Sequence, residues 1–109
     1  MASIKLVRND NRPYITLALT DSDGNAIDVS DAGTTVVVYF RAAGSTTLLA
    51  TLATTKIDGG TTGRVKFNFP GNALNVEPGN YEGEIEIDFG GEIQTVYQIL
   101  KFIVREDFD

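Results

Sequence analysis

The sequence predicts an all-β sandwich of about eight short, mainly antiparallel strands, and three observations point to it. The first is Tyr81-Glu82-Gly83-Glu84-Ile85-Glu86-Ile87-Asp88-Phe89, an unbroken alternation of inward-type and acidic residues. Successive side chains on a strand point to opposite faces, so Tyr81, Ile85, Ile87 and Phe89 share one face, with Gly83 as a gap, and the four carboxylates share the other. A helix would scatter those carboxylates around its circumference. The second is that similar runs recur along the chain, separated by Gly-, Pro-, Asp- or Asn-containing turns every ~8–12 residues. The third is length: 109 residues make one domain with a modest core.

The strands follow in order. Ile4, Leu6 and Val7 suggest a short first strand. Pro13 opens Tyr14–Thr20, where Ile15, Leu17 and Leu19 alternate with Thr16, Ala18 and Thr20; proline is tolerated at a strand's start because it removes a ladder donor only there. Asp21-Ser22-Asp23-Gly24-Asn25 is a turn, since Asp side chains accept from nearby backbone amides and Gly adopts positive φ. Ile27 and Val29 form a brief strand. Thr34–Ala42 is rich enough in β-branched and aromatic residues (Val36, Val37, Val38, Tyr39, Phe40) to be central in a sheet. Ala43-Gly44-Ser45 turns the chain into Leu48–Ile57, and Gly59, Gly60 and Gly63 lead into Val65, Phe67 and Phe69, which alternate with polar residues.

Residues 70–79 hold two breaks, Pro70-Gly71-Asn72 and Pro78-Gly79-Asn80, and read as an irregular crossing with at most one helical turn. The last two strands join at Gly90-Gly91. A two-residue turn would set Phe89 opposite Glu92 and Ile87 opposite Gln94. A three-residue loop, Gly90-Gly91-Glu92, pairs Phe89 with Ile93, Ile87 with Thr95 and Ile85 with Tyr97; it keeps apolar beside apolar and is the expected register. Beyond Ile99 the regular set becomes Leu100, Phe102 and Val104, which calls for a bulge near Ile99-Leu100. This strand count and spacing describe a sandwich of the immunoglobulin type over residues 13–105, with an amino-terminal arm or edge strand at 1–12 and an acidic tail at 106–109. Tyr81, directly after Pro78-Gly79-Asn80, is either a tyrosine corner, its hydroxyl bonding back to the preceding loop, or a plain amphipathic aromatic at the sandwich end.

Charge is unevenly distributed. Residues 77–92 hold six of the fifteen acidic groups (Glu77, Glu82, Glu84, Glu86, Asp88, Glu92) and no Lys or Arg, while the other nine are balanced by nine basic residues. The net charge of −6 is therefore one local feature. An acidic chain repels phosphate, so nucleic acid is not an expected partner. No apolar run approaches the ~18 residues of a membrane helix, and the amino terminus lacks a signal peptide's apolar core, so neither is a membrane. Cysteine is absent, which removes disulfides and thiolate metal sites and suits a reducing cytosol.

The stretch Leu19-Thr20-Asp21-Ser22-Asp23-Gly24-Asn25-Ala26-Ile27-Asp28-Val29, followed by Ala32 and the strand from Val36 to Phe40, resembles the N-terminal immunoglobulin-like domain of phage upper-baseplate proteins. Thr62-Gly63-Arg64-Val65 and Pro78-Gly79-Asn80-Tyr81-Glu82 are similar to that family in the same order, and the resemblance runs from about Asn11 to Val104. It implies a non-enzymatic structural or assembly role in a tailed-phage particle: a virion protein made in the host cytoplasm, present in several copies and docked on other virion proteins, with the tail or baseplate as the leading location. In that family the domain anchors a longer chain bearing further modules, whereas this sequence ends at Asp109, so attachment carries over and receptor binding does not.

Several features imitate chemistry. The carboxylates Glu82, Glu84, Glu86 and Asp88 lie ~6.6–7 Å apart along a strand face, within the separations glycosidases use. Yet no His, Cys or Trp is present to build a site around them, and an open sheet face does not desolvate a carboxylate enough to raise its pKa. A solvated face, or an acidic patch for a basic partner, is the better reading. Asp21-x-Asp23-Gly24 echoes a calcium loop, but the twelfth position, where the bidentate Glu belongs, is Ala32. A Ser or Thr nucleophile has no histidine base, and the glycine pairs lack the strand–loop–helix setting that cradles phosphate. No catalytic, metal or cofactor site is therefore assigned. The candidate interface is Lys5, Arg8 and Arg12 on one side and Glu82, Glu84, Glu86 and Asp88 on the other, the former gripping the latter on another copy. Two alternatives remain, a capsid decoration protein and a carbohydrate- or surface-binding sandwich module; Tyr14 and Tyr39 are the chief aromatic candidates for a sugar platform.

Overall fold

The computed structural model describes residues 3–108. Nine strands form two sheets: β1 (Ile4–Val7), β2 (Ile15–Ala18), β3 (Thr35–Ala42), β4 (Leu48–Ala53), β5 (Thr55–Lys56), β6 (Arg64–Phe67), β7 (Gly79–Asp88), β8 (Ile93–Thr95) and β9 (Leu100–Arg105). The larger sheet runs β1-β9-β7-β3-β4, with β8 also on β7, and the smaller runs β2-β6-β5. All pairings are antiparallel except β1 on β9. This is the expected immunoglobulin-like all-β sandwich.

The alternation predicts the core. Val38, Phe40, Val65, Phe67, Ile85 and Ile87 are all buried, and the inward residues of both sheets join one apolar cluster. At one end five aromatic rings interlock. Phe40 stacks on Tyr81 at 5.3 Å and meets Phe69 and Phe102 edge-on at 5.5 and 5.6 Å, while Phe69 meets Phe67 and Phe102 at 5.7 and 5.8 Å. Such offset and edge-to-face geometries add to area burial. Gly83 stands beside this cluster, between Phe40 on β3 and Leu100 on β9. A Cβ there would lie 2.9 Å from Phe102 Cε2 and 3.1 Å from Val38 Cγ1. The gap in the apolar face of β7 is the room that Phe102 occupies.

Tyr81 is a tyrosine corner: its hydroxyl donates to the Glu77 carbonyl, closing the loop over Pro78-Gly79. The Asp21 turn also behaves as its sequence implies. Asp21 Oδ1 accepts from the Asp23 and Asn25 amides, both at 2.9 Å, and Thr20 bridges Ala26. Residues 70–79 cross between the sheets without a helix, bringing Leu74 into the core.

Four local expectations are corrected. The β7–β8 hairpin takes the two-residue turn, not the three-residue loop: Asp88 pairs with Ile93, Ile87 with Gln94, and the Phe89 amide bonds the Glu92 carbonyl at 2.8 Å. The reason is local. Gly90 and Gly91 both have positive φ (87° and 122°), and Asp88 Oδ1 accepts from both their amides at 2.9 and 2.8 Å. Turn chemistry thus outweighs the apolar matching of three side chains, and Ile93 is left 54% exposed. In this register even-numbered residues face inward on both sides of the break, Gln94 opposite Ile87 and Leu100 opposite Gly83, so the one-residue bulge expected at Ile99-Leu100 gives way to a register shift that keeps the phase. The chain leaves β7 after Thr95 and returns at Leu100, shifted by two residues, so that Tyr97 is 96% exposed instead of paired with Ile85. Finally, Leu48–Ile57 is not one strand. It changes sheets between β4 and β5 at Thr54, whose hydroxyl donates to the Val36 carbonyl at 2.8 Å and so satisfies the backbone where the ladder ends. Ile27 and Val29 are held by backbone bonds to Leu19 and Gly60 and form no strand.

Candidate interaction surfaces

The outward face of the larger sheet carries the charges singled out in the sequence. β7 lies between β3 and β9, and its even-numbered residues point away from the core. Arg41 stands opposite Glu82 and its Nε lies 3.3 Å from Glu82 Oε1. Tyr39 stands opposite Glu84, but its hydroxyl donates diagonally to Glu86 Oε1 at 3.0 Å. That hydrogen bond, with lesser contributions from desolvation and the neighbouring carboxylates, pushes the Tyr39 phenol above its ordinary value. Asp88 is engaged by the hairpin turn. Among the described residues Glu84 alone of the four makes no side-chain hydrogen bond or ion pair, because β9 pairing stops at Gly83 and β8 pairing starts at Glu86. The row is thus partly structural, with one exposed carboxylate at its centre.

The basic residues divide differently from the way their positions in the chain suggest. Lys5 is on β1, an edge strand whose Leu6 is buried, and it pairs beside Ile103 of β9. Lys5, Lys101 and Arg105 therefore share the outer face and form a basic strip next to the acidic row. Lys101 stands directly opposite Glu82. Sequence reasoning does not single out Lys101 and Arg105. A signal for them exists, since they alternate with Leu100, Phe102 and Val104, but only the parallel β1–β9 pairing places them beside Lys5. Arg8 is turned inward to the chain: its Nη1 lies 3.0 Å from Glu106 Oε2 and its Nη2 approaches Asn75 Oδ1 at 3.5 Å. Arg12 is exposed in the loop before β2.

Two concavities border these elements. One, of about 320 Å³, opens on the outer face between Tyr39, Arg41, Leu48, Glu82, Glu84 and Ile99. The other, of about 700 Å³, runs between the β2 edge and residues 94–98, with Leu17, Val96 and Leu100 in its lining and Tyr97 at its rim. Of the aromatic candidates, Tyr39 is bonded to Glu86 and Tyr14 has the Lys66 ammonium 5.2 Å from its ring centroid. Among the described residues no three His, Cys, Asp or Glu side chains gather as a metal site, and no helix is long and apolar enough to cross a membrane.

No family model matches the chain, and no curated protein matches it. Among solved structures, the chain is similar to the N-terminal domain of phage TP901-1 ORF48, with 14% identity and a TM-score of 0.61, over 97% of this chain and 85% of that one. At that identity the likeness is one of fold, and it is the fold of a phage protein's N-terminal domain.

Proposed function

We propose that this protein is a non-enzymatic structural component of a tailed-phage particle, most directly of the tail or baseplate, that docks on other virion proteins in several copies. The observation that carries the reading is the fold likeness to an N-terminal phage domain over 97% of the chain. The motifs around Asp21–Val29 and Pro78–Glu82, which resemble phage upper-baseplate proteins, support it independently. The outer face supplies a means of docking. The acidic residues Glu82, Glu84, Glu86 and Asp88 lie beside the basic strip of Lys5, Lys101 and Arg105, with Arg12 exposed further along the amino-terminal segment. A face that carries both signs recognises a neighbour by complementary charge, which fixes orientation more than it adds affinity. Such contacts are screened by salt.

Mass spectrometry of purified particles tests the reading: the protein should be present in tail-containing fractions and be released more readily as salt is raised. Lys101→Glu combined with Lys5→Glu should reduce its incorporation while leaving the circular dichroism spectrum unchanged. A protein absent from particles, free as a monomer and binding a defined glycan through the groove beside Tyr97, would overturn this function in favour of a carbohydrate-binding module. Recovery only with tail-less capsids would place it as a decoration protein instead.

A further inference from the structure

The two ends of each sheet and the outer side of β8, which pairs only with β7, make five edges, and four of them are guarded, β8 by being three residues long. β1 carries Lys5 with Lys101 and Arg105 close by on the same face. β5 is two residues long and includes Lys56. β2 faces the groove whose other wall is residues 94–98. Charge, brevity and cover are the usual ways in which proteins stop sheet edges from pairing.

β4 has none of them. It ends the larger sheet, and the run 42–55 contains no charged residue and no proline. Leu48 and Leu49 on it are 51% and 47% exposed. Its backbone is also open. Thr54 Oγ1 reaches the Val36 carbonyl, and the Ala43 amide reaches Asn80 on the β7 side, so even-numbered β3 residues turn their polar groups toward β4 and odd-numbered ones toward β7. Antiparallel ladders alternate bonded and non-bonded pairs. Given the register, Leu52 bonds Val38 and Ala50 bonds Phe40, which leaves the amides and carbonyls of Thr51 and Ala53 directed outward. Among the described residues, neither Thr51 nor Ala53 makes a backbone bond to a turn or loop that would cover this edge.

We propose that this edge pairs antiparallel with β4 of a second copy about a two-fold axis, joining two larger sheets into one. The occupant follows from charge. On a chain of net charge −6, a two-fold contact brings each residue near the axis up to its own like. Opposed like charges are destabilising across strands. Copies meeting at β1 would oppose Lys5 to lysine, and meeting on the β7 face would oppose carboxylates. The β4 run brings no charges together, and its exposed leucines are covered by the same contact.

Sedimentation velocity across a concentration series tests this. The wild-type chain should show a monomer–dimer equilibrium that holds or strengthens as salt screens the net charge, unlike the salt-weakened docking proposed above. Thr51→Pro removes one outward amide per copy and no ladder bond, and should weaken dimerisation on the order of tenfold or more. Thr51→Lys guards the edge as natural edges are guarded and should do the same, with the thermal midpoint retained. It also lowers the net charge, so weaker association cannot come from added overall repulsion. Thr16→Lys, on the β2 edge, should leave the dimer intact. A monomer at every concentration overturns the proposal, as does a dimer that survives Thr51→Lys or is lost with Thr16→Lys. If Thr51→Pro disturbs folding, Thr51→Lys decides.

Discussion

Replacing Gly83 with alanine tests whether the aromatic end of the core is packed as tightly as its geometry implies. The added Cβ would sit 2.9 Å from Phe102 Cε2, 3.1 Å from Val38 Cγ1 and 3.4 Å from Leu100 Cβ. None of these neighbours gives way easily. The Phe102 ring is held edge-on against Phe40 and Phe69, Val38 is β-branched and fully buried, and Leu100 is 3% exposed. Overpacking of this kind costs about 1–3 kcal/mol. Alanine also restricts the unfolded chain, which returns about 0.4–1 kcal/mol where the native backbone accepts it. Gly83 is not in the left-handed region, so that offset applies. The net expectation is a loss of about 1–2 kcal/mol, or roughly 5–10 °C in Tm for a domain of this size. Urea denaturation followed by circular dichroism reads the free energy, and differential scanning calorimetry the midpoint. Phe102→Leu in the same chain should reduce the cost of Gly83→Ala, because the nearest clashing atom is gone; the two substitutions should couple in a double-mutant cycle. An unchanged or raised stability for Gly83→Ala, or strict additivity with Phe102→Leu, would refute this account of the packing.

Phe67→Ala should destabilise the fold by about 3–5 kcal/mol through a cavity, whereas Glu84→Gln, at the one carboxylate of the β7 row without a partner among the described residues, should change it by about 0.5 kcal/mol or less; similar losses in urea titrations would mean that the strand phase is wrong. Tyr81→Phe removes the hydroxyl that closes the corner on Glu77 and should cost about 0.5–1.5 kcal/mol, with an unchanged urea midpoint counting against the corner's contribution. In base, Tyr39 is held protonated chiefly by its bond to Glu86, and Tyr81 chiefly by burial, so both phenols titrate above the ordinary value. Their stabilisation is complete below the unfolded phenol pKa of about 10 and is lost as pH rises through the folded values. Thermal melts should therefore fall more steeply above that pH for the wild type than for Tyr39→Phe, and equal slopes would exclude a Tyr39 contribution.

How much of this was legible in the sequence depended on the range of the interactions concerned. Alternation along a single strand reports which face is buried, and it placed Val65, Phe67, Ile85 and Ile87 in the core and the carboxylates of β7 outside it. Turn chemistry is equally local, and the Asp21 turn and the Pro78-Gly79 entry to Tyr81 took the form their residues imply. The hairpin after Asp88 shows two local signals in conflict. Apolar matching favoured one register, while two consecutive glycines and a carboxylate able to accept both their amides favoured another, and the turn prevailed. That one choice exposed Ile93 and Tyr97 and opened the groove beside β2.

The sequence by itself determined the class of fold, the inward set of each long strand, the aspartate turn and the concentration of negative charge on one strand, because all of these depend on residues close together in the chain. Only the tertiary structure decided which strands become neighbours and which edges remain open. The parallel placement of β1 on β9 gathers Lys5, Lys101 and Arg105 from opposite ends of the chain, and the change of sheet at Thr54 leaves β4 as an uncharged, unpaired edge. Neither is written in a local pattern. Both follow from how two twisted sheets close over one aromatic core, where burial of Phe40, Phe69 and Phe102 fixes the layers and the surface charges take the places that remain.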